Sequence, residues 1–418
     1  MFESFFPKPK LFFISLVFYA AVAIGIWYSV GDSLAGFLGF DLPEADAPPV
    51  IGLGFFVTSK FMWFYLYYTV ATLIFWAAWQ RIAPHKWHVW SILGSSLILF
   101  TTYYGVQVSV AINHWRRPFG DMLQNALTGE ENITTADFTE LIVIFGQIAF
   151  VAVVIFAVTR FFVSHYVFRW RKAMTDYYMR HWARVRHVEG ASQRIQEDTQ
   201  RFASIVEGLG VSIVDSIMTL FAFLPILLSL SEYVTEMPIV GEIPAPLMTA
   251  VIFWSLLGTV LLAVVGIKLP GLYFRNQRVE AAFRKELVLG ENDGSKAEPL
   301  TIAELFHNVT RNYFRLYFHY LYFNVTRSFY LQADGIFGYF ILIPTIVAGT
   351  ITYGILQQIL TAFGQVSNSF QFLVNSWPTI VELLSIRKRL VSFDASIADM
   401  PLPAIDQEYM ESVSSVRD

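Results

Sequence analysis

The 418-residue sequence contains no cysteine. That excludes disulfides, thiolate metal centres and a cysteine nucleophile. Charge is scarce: only 15% of residues are Asp, Glu, Lys or Arg, and the formal net charge is −4. Soluble domains carry about 25% charged residues. A nearly balanced charge and a pI near 6.1 leave no general nucleic-acid footprint. No G-x-x-x-x-G-K-[ST] occurs, so the backbone cradle for nucleotide phosphates is missing. The nearest piece, Gly294-Ser295-Lys296, lacks the spacing. No Ser–His–Asp constellation has local support either. The expectation is a protein that is not an enzyme, with no cofactor and no catalytic residue.

Apolar surface, by contrast, is abundant. Hydrophobic residues make up 55% of the chain and mean hydropathy is +0.50. A soluble chain this apolar has too little polar surface to cover itself, so the excess faces lipid. A spanning helix needs about 20 mostly apolar residues. Eight runs qualify as candidates, near 11–30, 61–80, 89–112, 141–163, 205–230, 248–269, 325–348 and 354–385. They are too continuous for outer-membrane strands, which alternate over about ten residues. The first is too long for a cleaved signal h-region and reads as a retained helix.

Lys and Arg set the orientation. With the N-terminus inside, the outside loops 31–60, 113–140 and 231–247 hold only Lys60, Arg116 and Arg117 of the 29 basic residues. Acidic residues predominate there, including Asp32, Asp41, Asp121, Asp137, Glu232 and Glu242. Both termini are therefore expected in the cytoplasm. Two inside segments, 164–204 and 270–324, are polar and helical, with elbows expected at Gly190 to Thr199 and Arg278 to Glu291. Long cytoplasmic helices with two elbows are the layout of exporter-type ABC transporter membrane domains, in which the elbows dock on an ATPase. Only 25 residues follow Phe393, so no ATPase is expected. The expected organisation is an additional helix pair over 1–85, a six-helix core over 86–393 and a cytoplasmic tail over 394–418.

A carboxylate at membrane depth costs about 2.5–3.5 kcal/mol on insertion scales, so it is a functional candidate by default. Glu207 and Asp215 lie in the fifth span, two turns apart on one face. They are proton-coupling candidates, with a structural role at the helix mouth as the alternative for each. Asp334 reads as a helix start signal. Glu189, Glu197, Asp198, Glu280 and Glu286 sit at the elbows, as an acidic ladder or as ion-pair partners of neighbouring arginines. In the eighth span, Gln358, Thr361, Gln365, Asn368, Phe372, Asn375, Thr379 and Glu382 step by three or four along one helix face. All but Phe372 are polar. Such a stripe faces protein or water and is the candidate lining of a substrate cavity. His85 and His88 have metal-compatible spacing but no carboxylate nearby, and read as interfacial histidines, leaving no metal site.

Longer strings identify a family. Met1-Phe2-Glu3-Ser4-Phe5-Phe6-Pro7-Lys8-Pro9-Lys10, Phe162-Val163-Ser164-His165-Tyr166-Val167-Phe168-Arg169-Trp170-Arg171 and Gly190-Ala191-Ser192-Gln193-Arg194-Ile195-Gln196-Glu197-Asp198-Thr199 resemble the SbmA/BacA family of bacterial inner-membrane peptide transporters. Lys268-Leu269-Pro270-Gly271, Arg278 to Ala282 and Tyr313 to Tyr320 do the same. The resemblance covers residues 1 to about 393 and is closest to the rhizobial BacA branch. It implies an all-α polytopic membrane protein with an ABC-exporter-like transmembrane domain and no nucleotide-binding domain. It also implies a homodimer that takes up peptides and peptide-like antibiotics across the inner membrane on the proton gradient. By motif position, Glu207 matches the family's essential membrane glutamate. Glu197, Asp198, Glu280 and Glu286 match its acidic elbow positions. Expected partners are peptides, protons, membrane lipids and a second copy, with no nucleic acid. The alternative is an ABC-type membrane subunit that uses a separate ATPase to move very-long-chain fatty acyl or lipid groups.

Overall fold

A computed structural model describes residues 1–43, 47–129, 133–186, 188, 191–234, 236–238, 240–292 and 298–401. Among them the secondary structure is helical throughout, without a β-strand. The long helices are α1 (Pro9–Phe37), α2 (Ser59–Ile82), α3 (Ser95–Thr128) and α4 (Thr135–Arg180), and the short turns α5 (Trp182–Val185) and α6 (Ala191–Gln193) follow α4. Next come α7 (Thr199–Leu230), α8 (Pro246–Gly266), α9 (Leu269–Asn292) and α10 (Pro299–Val347). The last two are α11 (Tyr353–Asn375) and α12 (Trp377–Ile397). Among the described residues seven helices are long and apolar enough to cross a membrane: α1 to α4, α7, α8 and α10, several with flanking helical turns. Their large apolar side chains point outward, as Ile14, Val17 and Phe18 do at about 70% exposure. A helix bonds each backbone polar group internally, which lipid requires.

The eighth stretch forms helix but falls below that apolarity, because its polar stripe dilutes it. It also divides at Ser376. Pro378 brings no amide hydrogen and its ring crowds the preceding turn. The break is one residue wide, since Ser376 N–H still reaches the Phe372 carbonyl and Ile380 N–H the Ser376 carbonyl.

Three expectations change. The second elbow does not lie at Arg278 to Glu291, because α9 runs unbroken through that stretch. Of the first expected elbow, Gly190 lies outside the described residues and Ala191 to Thr199 is helical. Asp334 starts no helix. It lies deep inside α10, which begins at Pro299. A true start is visible at α4, where Thr134 and Asp137 cap one another reciprocally.

The chain divides into two compact units: Met1–Ala222 with Thr352–Gln358 and Ile386–Asp418, and Phe223–Ile351 with Ile359–Ser385. In the first unit, α1 and α2 are joined by Tyr19 and Tyr67, whose hydroxyls donate to the Ala71 and Ala23 carbonyls at 2.8 and 2.6 Å. Phe2, Phe5 and Phe6 wedge against Trp170 with centroid separations of 5.4–5.8 Å. Arg169 lies 3.8 Å over the Trp90 ring, a cation–π contact at the foot of the α3 and α4 helices. In the second unit, α9 and α10 form a hairpin around the buried pair Asn276 and Asn312, bonded at 3.0 Å.

The turn between α2 and α3 makes stability depend on pH. Burial lowers the pKa of His88, and of His85, from the ordinary imidazole value; carbonyl contacts to Trp76 and Glu3 offset part of this. The unfolded chain therefore binds protons below about pH 6.5 that the folded chain refuses. Stability should fall as pH drops through that value. Thermal unfolding of the purified protein at pH 8 and pH 5.5 checks this, and His88→Leu should flatten the difference.

Candidate functional site

The helix carrying Glu207 opens with a π turn, Arg194–Asp198, which feeds straight into α7. Such turns concentrate at functional positions. The turn aims Asp198 inward. Its carboxylate is buried and meets Arg389 of α12 at 2.8 Å. The Arg194 guanidinium donates to the Arg389 carbonyl at 2.7 Å. Glu197 faces the other way and pairs with Arg201 at 2.8 Å and with Gln193 at 3.1 Å. Two of the acidic elbow candidates are thus ion-paired, one of them buried.

Losing a partner from a fully buried ion pair costs about 3–5 kcal/mol, because the remaining charge is stranded. Arg389 is 42% exposed, so solvent screens part of that cost. Arg389→Gln should therefore lower unfolding free energy by about 2 kcal/mol, while Arg201→Gln, at an exposed pair, changes it by less than about 0.5 kcal/mol. Denaturant titration of the two variants makes the comparison.

Glu207 lies two and a half turns beyond Asp198 on the same helical run and is half-buried. Among the described residues it makes no ion pair and no hydrogen bond. Arg160 on α4 supplies the positive field around it. Tyr166, whose hydroxyl shares a 2.7 Å bond with Ser95, lies within electrostatic reach. Asp215, two turns on, is exposed between the exposed Ile213 and Ile217. Glu280 and Glu286 lie half-buried on α9. Glu189 falls outside the described residues.

The polar stripe is split between the two units. Gln358 belongs to the first, where it is buried and its carbonyl accepts from Asn113 of α3 at 2.9 Å. In the second, Thr361, Gln365 and Phe372 are half-buried, while Asn368 and Asn375 are exposed. Thr379 and Glu382 continue the row on α12, half-buried.

Sequence reasoning overlooked a second polar set beside that stripe. Ser367 and Gln371, both buried on α11, bond to one another at 3.1 Å and reach Asp334 and Tyr330 of α10. Trp254 of α8 donates its indole N–H to the same Asp334 at 2.8 Å. The available signal was a pair of matching spacings, Tyr330 with Asp334 and Ser367 with Gln371, each four residues apart.

Residues 84–398 match the model of the SbmA/BacA-like family. The chain belongs to this family. It is an all-α, multi-pass membrane protein. The family match takes in Glu207, the elbow carboxylates, α11 and α12, and begins just after α2. The SbmA/BacA-like chain is also 27% identical over 329 residues to the "Inner membrane ABC transporter ATP-binding protein YddA" of Escherichia coli (strain K12), covering 72% of this chain and 57% of that protein. It is 23% identical to the "Uncharacterized ABC transporter ATP-binding protein sll0182" of Synechocystis sp. (strain ATCC 27184 / PCC 6803 / Kazusa), covering 75% and 47%. It is 24% identical to "ABC transporter D family member 2, chloroplastic" of Arabidopsis thaliana, covering 69% and 40%. The chain spans about half the length of these curated relatives.

Proposed function

We propose that this SbmA/BacA-like protein is a secondary transporter. It imports peptides and peptide-like antibiotics, including cationic, proline-rich or defensin-like ones, across the bacterial inner membrane. It works as a homodimer driven by the proton gradient. The observation that carries the reading is Glu207: a half-buried carboxylate in a membrane helix, bonded to nothing among the described residues. A carboxylate committed to structure normally has a partner, as Asp198 has in Arg389. One without a partner is free to exchange a proton with water on either side.

Proton binding at Glu207 removes a charge at membrane depth and so biases an outward-open against an inward-open state. Asp215 lies on the same helix face and extends the path, and Glu189, Glu197, Asp198, Glu280 and Glu286 carry protons onward at the elbows. The polar row from Gln358 to Glu382, in two copies, lines the peptide cavity. Acidic outer loops draw in cationic cargo, because clefts with low-dielectric walls focus the field. Both termini lie in the cytoplasm, the side where nearly all Lys and Arg fall.

A second reading has its own support. The relatives carry ABC transporter names, two of them as ATP-binding proteins. A separate ATPase acting on this chain, with lipid or very-long-chain fatty acyl cargo, fits those names. Uptake of a labelled proline-rich cationic peptide into proteoliposomes separates the two. An inward-directed proton gradient without ATP should drive uptake. Strict dependence on ATP and a co-purifying ATPase would replace the first reading with the second.

A further inference from the structure

Three helices of the second unit meet around one carboxylate. Asp334 Oδ1 accepts from Trp254 Nε1 at 2.8 Å and from Ser367 Oγ at 2.9 Å. Behind them, Gln371 Nε2 donates to Ser367 Oγ at 3.1 Å and to the Tyr330 hydroxyl at 3.3 Å. The Tyr330 hydroxyl donates to the Trp254 carbonyl at 3.5 Å. The directions are fixed by chemistry. An amide or indole N–H only donates, so each hydroxyl that receives from Gln371 turns its own hydrogen onward. The Ser367 hydrogen therefore points at Asp334. Two donors converge on Oδ1, and among the described residues no hydrogen bond uses Oδ2.

The packing holds this arrangement in place. The Trp254 ring is stacked on Phe337 at 3.9 Å and on Tyr330 at 5.6 Å. Tyr330 in turn lies against Gly258 of α8, where an added Cβ would collide with the hydroxyl end of its ring. Charge around Asp334 is sparse. Helix α8 has no ionisable side chain, and α11 has only Tyr353. On α10 itself the neighbours are Tyr330, Tyr339 and Arg327, the last two turns back. Helix α9, with its charged residues, meets α10 at Asn312, about 20 residues before Asp334. Asp334 has no ion-pair partner among the described residues. An ionised carboxylate here is held by two neutral donors, in a helix that crosses the membrane.

We propose that Asp334 is a further proton-binding carboxylate of this transporter, outside the Glu207 path. Its Oδ2 takes the proton, and the Trp254 and Ser367 donors hold Oδ1. The proposal rests on the proton-driven reading above and adds a site to it. Hydrogen bonds to an ionised acceptor are about twice as strong as those to a neutral one. Proton uptake at Oδ2 therefore slackens the bonds tying α8 and α11 to α10, and proton release draws the three helices together again. Asp334 would thus link protonation to helix packing in the second unit, while Glu207 sits on α7 in the first.

Infrared titration of the full chain reconstituted in lipid tests this without transport. Acidification should raise a protonated-carboxyl band that shifts on ¹³C-aspartate labelling. Asp334→Asn should remove one component of that band, the other aspartates supplying the rest, and Glu207→Gln should leave it unchanged. Ser367→Ala and Trp254→Phe each delete a donor to Oδ1 and should change the pH dependence of the band. An aspartate band unchanged in Asp334→Asn would overturn the proposal. So would a pH dependence indifferent to both donor deletions, an arm that decides the matter even if Asp334→Asn fails to fold. Peptide uptake under a pH gradient by the wild-type chain is measured alongside. Its absence would count against proton drive, and the infrared result would still decide Asp334.

Discussion

Gly354→Ala should destabilise the protein by about 3 kcal/mol, at the upper end of what overpacking usually costs. Helix α3 and the first turn of α11 touch backbone to backbone. A Cβ built on Gly120 would lie 2.6 Å from Gly354 Cα, and one on Gly354 would strike the Arg117 carbonyl and the Asp121 carboxylate. Neither clash can be relieved by turning a side chain, so the helices must separate. Separation also breaks the cap on α11. The Gly354 amide donates to Asp121 Oδ1 at 3.1 Å and the Tyr353 amide to Gln124 Oε1 at 2.6 Å. These are among the first amides of α11, which have no partner inside their own helix. The Asp121 charge also suits the positive end of the helix dipole. Small residues allow such approaches in membrane bundles generally. Gly364→Ala is the control, because a Cβ there meets nothing within 4 Å. Denaturant titration should show Gly354→Ala well below wild type and Gly364→Ala near it. The double variant Gly120→Ala with Gly354→Ala should cost less than the sum of the two, since one separation relieves both clashes.

How much of this was legible in the sequence depends on what lipid enforces. The apolar runs of α1, α2, α4 and α8 marked themselves, because a spanning helix must be apolar along its length. Helix α10 did not. Its apolar run begins at 325, and the sequence marks the segment before it as polar helix without showing that one helix runs through both from Pro299. Asp334 was misread for a related reason. Carboxylates mark helix starts so often that one inside a helix passes for a start, and only the packing of Trp254 and Ser367 against it shows otherwise. The stripe on α11 was periodic and therefore visible. Periodicity finds a face but does not say what the face meets. Gln358 turned out to pack on Asn113, more than 200 residues away in sequence. The elbow carboxylates were the least legible. Asp198 and Glu197 are adjacent and chemically alike, yet one is buried against α12 and the other pairs with the next turn of its own helix.

Glu207→Gln should reduce gradient-driven peptide uptake to the level of protein-free liposomes while leaving the fold intact. The two halves of that expectation rest on the same fact. Glu207 makes no hydrogen bond or ion pair among the described residues, so an isosteric amide strands no donor and unpairs no cation. A substitution without such consequences stays within about 0.5 kcal/mol. Loss of activity in a chain of unchanged stability would then be loss of a proton site. Glu207→Asp sharpens the test. It keeps a titrating carboxyl but withdraws it by one methylene, so it should retain part of the uptake that Glu207→Gln loses. A structural role predicts a different pattern, in which uptake follows the melting temperature across both variants. An ATP-driven mechanism predicts a third, in which Glu207→Gln with its ATPase supplied transports as well as wild type. Uptake and unfolding measured on the same three preparations tell the patterns apart, because only the proton role separates activity from stability at this one position.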